Sequence, residues 1–199
     1  MPKVGMEPVR RQQLIDATLS SVAELGLHAT TINSISKRAG MSSGIISHYF
    51  GGKQGLIEAT VRFLLSELKS NLLLKMAQSD SLSPVQRLKL IVESNFAPIQ
   101  QQQDSTRTWL NFWAQSMHDP ELFRLQKVNS TRLRSNLQAS FSKLMPRKDA
   151  KQAAELTAAM IDGLWLRCVL NRGSQADFSH AEQLSKQYID TLIAQFGEQ

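Results

Sequence analysis

The chain has 199 residues, 42% of them hydrophobic, a net charge of +6 and a single cysteine, Cys168. That is apolar material for one large domain or two small ones, and a lone cysteine excludes an intrachain disulfide or a multi-cysteine zinc site and fits a reducing compartment. No apolar stretch approaches a membrane span and the opening has no signal-peptide core, so a soluble cytoplasmic protein with no membrane partner is expected.

Taken in order, the pattern predicts an all-α fold of about nine helices. The prolines fall near expected helix ends or in the N-terminal arm, and no run alternates convincingly enough for a strand. Residues 1–8 read as a short arm bearing Lys3, expected to be mobile in the free protein. A first helix spans about 9–25, with Gly26 as its stop. Thr31 is the N-cap of a short second helix carrying Ile32 and Ile35, which Gly40 ends. Ser42 is expected to cap a third helix over 43–50, closed by Gly51 and Gly52. Two short helices around a Gly-containing turn are the sequence form of a helix-turn-helix.

The third helix has two unlike sides. Ile46 and Phe50 lie four apart and share a core-facing side. Ser43, Gly44, Ser47 and His48 lie opposite, small and polar, as a helix entering a major groove requires. No Asp or Glu occurs from Leu25 to Ile57, whereas Lys37, Arg38 and Lys53 do, which suits a phosphate backbone. Residues 1–74 hold eight bases and five acids, and the longer remainder has the same net excess, so the first part is the more basic per residue. A plain helical hairpin with a serine-rich solvated side fits the same pattern.

A fourth helix is expected over about 53–76, with Lys53 in its first turn at phosphate-contact position. The stretch 77–83 is the expected boundary, giving a DNA-binding domain over 1–55, a connecting helix over 56–76 and a sensing and dimerisation domain over 77–199. Ser83 and Pro84 start the next helix, which fades before Pro98. Asp104 is expected to cap a helix over 105–118, Asp119 and Pro120 to start a long one toward Leu144, and Asp149 to cap another through Leu170. Ser179 and Glu182 have capping-box spacing for the last, through Phe196.

In the second half, Trp109 and Trp113 lie four apart with Phe112 between, and Trp165 follows Asp162 by three. Indoles with a carboxylate suit a quaternary ammonium ion, because ring faces attract the cation and the acid complements its charge. Tryptophans at helical spacing also suit core packing, and Asp162 could pair with Arg167. His118, beside Asp119, fits a helix end. The last two helices carry more apolar surface than one core needs, from Ala153 to Leu166 and from Leu184 to Phe196.

The run from Arg11 to Leu65 resembles the DNA-binding domain of TetR-family repressors, through Ile15, Ala17, Gly26, Thr30, Thr31, Ile35, Ala39, Gly40, Ser42, Gly44, Tyr49, Phe50, Lys53 and Leu56. Ser47 stands where many members carry Tyr, and Ser36 where many carry Ala. Within the family, the GIISHYF run and the opening segment resemble the choline-responsive repressors of glycine betaine biosynthesis genes. The resemblance implies a homodimer through the last two helices, on a palindromic double-stranded operator. It implies base-edge contacts from Ser43, Gly44, Ser47 and His48, phosphate contacts from Thr31, Tyr49 and Lys53, and choline as inducer. The expected effector residues are Trp109, Phe112, Trp113, Asp162 and Trp165, with no cofactor and no metal. A repressor of other lipophilic cations is the alternative within the class. A helical scaffold or enzyme is the alternative outside it, although paired carboxylates at productive spacing, a Gly-rich phosphate loop and a Cys–His cluster are all lacking in the sequence.

Overall fold

The computed structural model describes residues 6–78 and 81–197, so Lys3 and the start of the predicted arm lie outside the described residues. Every regular element among them is a helix: α1 (Met6–Ala29), α2 (Ile32–Ala39), α3 (Gly44–Phe50), α4 (Lys53–Ala77), α5 (Pro84–Asn95), α6 (Pro98–Gln101), α7 (Gln103–Ser116), α8 (Pro120–Phe141), α9 (Arg147–Leu170) and α10 (Gln175–Phe196). The element not expected from the sequence is α6, a single turn starting at Pro98. Gly26 keeps non-helical angles inside α1 (φ 77°, ψ 163°), so the predicted stop is a kink followed by one more turn.

The chain packs as two units, residues 1–66 with 102–126 and residues 67–101 with 127–199. In the first, Leu14 and Ala17 of α1, Ile35 of α2, Ile46 of α3 and Leu56 of α4 form one buried cluster, with Met41, Tyr49 and Phe50 packed against it. Removing one such side chain costs about 2–5 kcal/mol, because the cavity left behind relaxes only in part. Helix α7 lies along α1 and is pinned there by polar groups at i, i+3 and i+7. Asp104 accepts from the Ser20 hydroxyl at 2.6 Å, Arg107 donates to the Ala23 carbonyl at 2.8 Å, and Asn111 accepts from the Leu27 N–H at 3.1 Å.

The second unit is built on α9 and α10, with α10 also packed on α5. The buried side of α9 is mostly alanine (Ala150, Ala153, Ala154, Ala158), which lets helices approach closely around Ile161 and Trp165. Facing it, α10 buries Phe178, Ala181, Ser185, Ile189 and Leu192. Glu93 of α5 accepts from Lys186 at 2.7 Å and from Lys75 at 3.2 Å. Burial alone would raise the Glu93 carboxyl, but the two lysine bonds outweigh it and hold it below the usual carboxylate range.

Several helix starts match expectation and several do not. Thr31 with Ser34, and Ser83 with Gln86, form complete capping boxes. Asp119 accepts from the N–H groups of Glu121 and Leu122. Ser42 is not a side-chain cap: α3 starts after Ser43, and Ser42 contributes its carbonyl, bonded by Ile45 N–H at 3.2 Å. Asp104 lies inside α7, which starts after Gln102, because its carboxylate is taken by Ser20. Asp149 sits in the first turn of α9, where its charge favours the positive end of the helix dipole, and Pro146 occupies the cap. The last capping box is Ser174 with Asp177 rather than Ser179 with Glu182. Ser179 bonds back to the Gln175 carbonyl, and Glu182 accepts from Lys186.

Candidate nucleic-acid interface and effector residues

Gly40 takes left-handed angles (φ 66°, ψ 32°) and turns the chain from α2 toward α3 within four residues. Any side chain there is strained, which is why the turn is a glycine. Ile46 is then fully buried and Phe50 is half-buried, which rotates Ser43, Gly44, Ser47 and His48 to the exposed side of α3. Tyr49 is half-buried, with its ring 5.0 Å from that of His48. The four residues expected at base edges thus share one accessible strip of small or hydrogen-bonding groups.

The expected phosphate contacts have intramolecular duties as well. The Thr31 hydroxyl oxygen accepts from Ser34 N–H at 3.0 Å, which leaves its own proton to donate outward. Lys53 is half-buried and donates to the Leu27 carbonyl at 3.1 Å, and an ammonium keeps two further protons. Arg38 is engaged by Glu24, whereas Lys37 is exposed beside it on α2.

Three features of this surface were missed in the sequence. Gly55 in the first turn of α4 sits so near the end of α3 that an added Cβ would lie 1.9 Å from the Phe50 carbonyl oxygen. Gln54 donates to Asp119 at 2.7 Å. The third is the α7 pinning on α1. Its signal was present, since Asp104, Arg107 and Asn111 form one polar stripe, but nothing local names a partner 84 residues away.

Of the expected effector residues, Trp109, Phe112 and Trp113 belong to the first unit. Their rings cluster, with centroids 5.6 Å apart for Trp109 and Phe112 and 6.2 Å for Trp109 and Trp113. Trp109 and Phe112 are buried, and Trp113 is half-buried. Trp165 and Asp162 belong to the second unit. Trp165 is buried and donates from Nε1 to the Gln100 carbonyl at 3.1 Å. Asp162 has solvent-accessible surface, yet desolvation raises its carboxyl to about 6. A cleft of about 410 Å³ between the ends of α9 and α10 is lined by Arg167, Asn171, Arg172 and His180, and by none of the expected effector residues. Its two guanidinium groups outnumber the Asp177 carboxylate that also lines it, which disfavours a cationic ligand. Among the described residues, no helix is long and apolar enough to cross a membrane, and no group of three or more His, Cys, Asp or Glu could hold a metal.

The chain matches two family models: bacterial regulatory proteins of the tetR family over residues 14–60, and the C-terminal domain of BetI-type transcriptional repressors over residues 84–194. It is 52% identical to the HTH-type transcriptional regulator BetI of Serratia proteamaculans, covering 95% of each chain. It is 48% identical to BetI 2 of Chromohalobacter salexigens, covering 99% of this chain and 95% of that one. A TetR transcription regulator of Haloarcula marismortui has the same fold (TM-score 0.79, 20% identity, 92% of this chain and 98% of that one). So does a transcriptional regulator of Saccharomonospora viridis solved in complex with choline (TM-score 0.76, 18% identity, 97% and 100%). With both halves matched and close relatives spanning nearly its whole length, the chain belongs to the TetR family of DNA-binding transcriptional regulators, carries a BetI-type repressor domain and is not an enzyme.

Proposed function

We infer that the chain represses choline-to-glycine-betaine genes from the cytoplasm and releases its operator when choline, or a closely related quaternary ammonium ion, binds. The observation that carries the DNA half of this reading is the strip Ser43, Gly44, Ser47 and His48, exposed while Ile46 is buried behind it. In this reading the strip meets base edges in a major groove, and Thr31, Tyr49 and Lys53 hold the flanking phosphates. Functionally, residues 1–55 bind DNA, 56–76 connect, and 77–199 sense and dimerise. Exposed Leu156, Leu170 and Leu184 on α9 and α10 support pairing with a second copy through these helices, and a twofold dimer implies a palindromic operator.

Asp162 supports the cation half, as an accessible carboxylate in a crowded setting. Trp165 is the proposed ring contact within the second unit, and Trp109, Phe112 and Trp113 are the proposed ring cluster within the first. Because α7 is pinned to α1, a shift of the α7 rings moves the reading head directly, which adds a route to the connecting helix. Such coupling requires the effector to bind the two states with different affinity.

The test joins a gel shift on the chain's own upstream region, at rising salt, with calorimetry of choline against a bulky cationic dye. The expected result is sequence-selective binding that millimolar choline weakens. Binding without sequence preference removes the operator reading. Heat with the dye and none with millimolar choline transfers the protein to repressors of other lipophilic cations.

A further inference from the structure

Helix α3 is two turns long, and Ser43 at its start makes no side-chain cap bond. So short a helix has little intrinsic rigidity, and its rotation is set by what its side chains meet. Ile46 holds its middle in the core. Its end packs against the same cluster through Tyr49 and Phe50, and has one contact more. The Arg11 guanidinium of α1 lies 5.4 Å from the Tyr49 ring centroid and 4.9 Å from that of Phe50. The two rings meet edge to face, 6.5 Å apart at 89°. Glu7, one turn earlier on α1, accepts from Arg11 Nε at 2.8 Å.

We propose that Arg11 is a positioning residue for DNA reading: its planar cation, lying against Tyr49 and Phe50, sets the angle of α3 and so the aim of Ser47 and His48. The His48 ring, 5.0 Å from that of Tyr49, is the first reading group to move when Tyr49 turns. Glu7 shares the Arg11 charge through an exposed pair, so the charge is a second candidate contribution that the test must separate from position. A lysine keeps the charge but replaces the broad, delocalised guanidinium between the two rings by a compact ammonium, so the shape and the charge of the cation can be separated by substitution. The inference rests on the reading strip proposed above.

The experiment uses the full chain, its Arg11→Lys and Phe50→Leu variants and the double variant. Affinity is measured by fluorescence anisotropy at one salt concentration, for a duplex of the chain's own upstream region and for a scrambled duplex of equal length. Circular dichroism melts set a working temperature at which every variant is folded. Arg11→Lys is expected to weaken upstream-duplex binding by about five- to tenfold while leaving scrambled-duplex binding at the parent value. Its effect and that of Phe50→Leu are expected to be non-additive, as for groups in contact. An Arg11→Lys chain that binds both duplexes like the parent assigns Arg11 a charge role only and overturns the proposal. Equal loss on both duplexes, or additive losses, overturns it too. A parent that does not discriminate the duplexes sinks the reading strip first, and this inference with it.

Discussion

Helices α3 and α9 each bury one side and expose the other, and their exposed sides differ. Behind α3 stands Ile46, and in front are two serines, a glycine and a histidine. Behind α9 stand alanines, Ile161 and Trp165, and in front are Leu156 and Leu170, 39% and 64% exposed, with Gly163 and Asp162 between them. The buried sides follow the same packing rule and say little about function. The exposed sides say more: small polar groups suit a hydrated groove, whereas exposed leucines on a long helix suit another protein surface. The fold is carried by what the helices hide, and the choice of partner by what they show.

The comparison breaks hardest at its two anchors. Ile46→Ala is expected to cost the reading head about 2–5 kcal/mol and to abolish operator binding, with protomer pairing kept. Leu170→Glu, which places a charge on the exposed side of α9, is expected to do the reverse: protomers separate while the head stays folded. Thermal melts and sedimentation of the two variants check both halves. A Leu170→Glu chain that still pairs removes α9 from the interface.

A smaller effect is expected from pH. Desolvation raises the Asp162 carboxyl to about 6 from the ordinary value of 3.8. A cation prefers the charged carboxylate, so choline affinity should fall as pH drops below about 6, approaching tenfold per unit. Titration calorimetry between pH 7 and pH 5 measures this, and Asp162→Asn should flatten the profile. The stability contribution has the opposite sense. The folded chain holds this proton longer than the unfolded chain, so the group's contribution to stability declines as pH rises through the window between these two values.

The smallest effects come from the capping box, at two of the three places where the described residues form one. Thr31→Ala and Ser83→Ala each remove the side-chain half of a capping box and should each cost about 1 kcal/mol in a denaturant melt. Only Thr31→Ala should also weaken operator binding. Equal losses of operator binding in both variants would mean that caps act through stability alone.

What could be read in advance follows the reach of each interaction. Thr31, Ser83 and Asp119 were legible as caps because donor and acceptor lie within three residues. The exposed strip on α3 was legible because helical periodicity fixes which residues share a side. Asp104 was misread because a partner distant in sequence, Ser20, took the carboxylate that would have capped α7. Ser179 was misread because Ser174 and Asp177 offer the same spacing one turn earlier, directly after Gly173. Gly55 falls in the first turn of the expected fourth helix, and only the distance from its missing Cβ to the Phe50 carbonyl shows why a larger residue is excluded. For the effector residues, ring spacing along α7 was legible, but it fits a cage and a core equally, and only the structure shows that Trp109 and Phe112 are buried in their own unit.

The bonds from Asp104, Arg107 and Asn111 to α1 bear on how such regulators can be recombined. A chimaera joined after residue 66 would receive a foreign head while keeping a brace shaped for the old one, and the Ala23 carbonyl and Leu27 N–H positions of the newcomer would meet mismatched groups. Swapping DNA specificity between relatives therefore calls for three junctions, after residues 66, 101 and 126, with residues 102–126 travelling alongside the head.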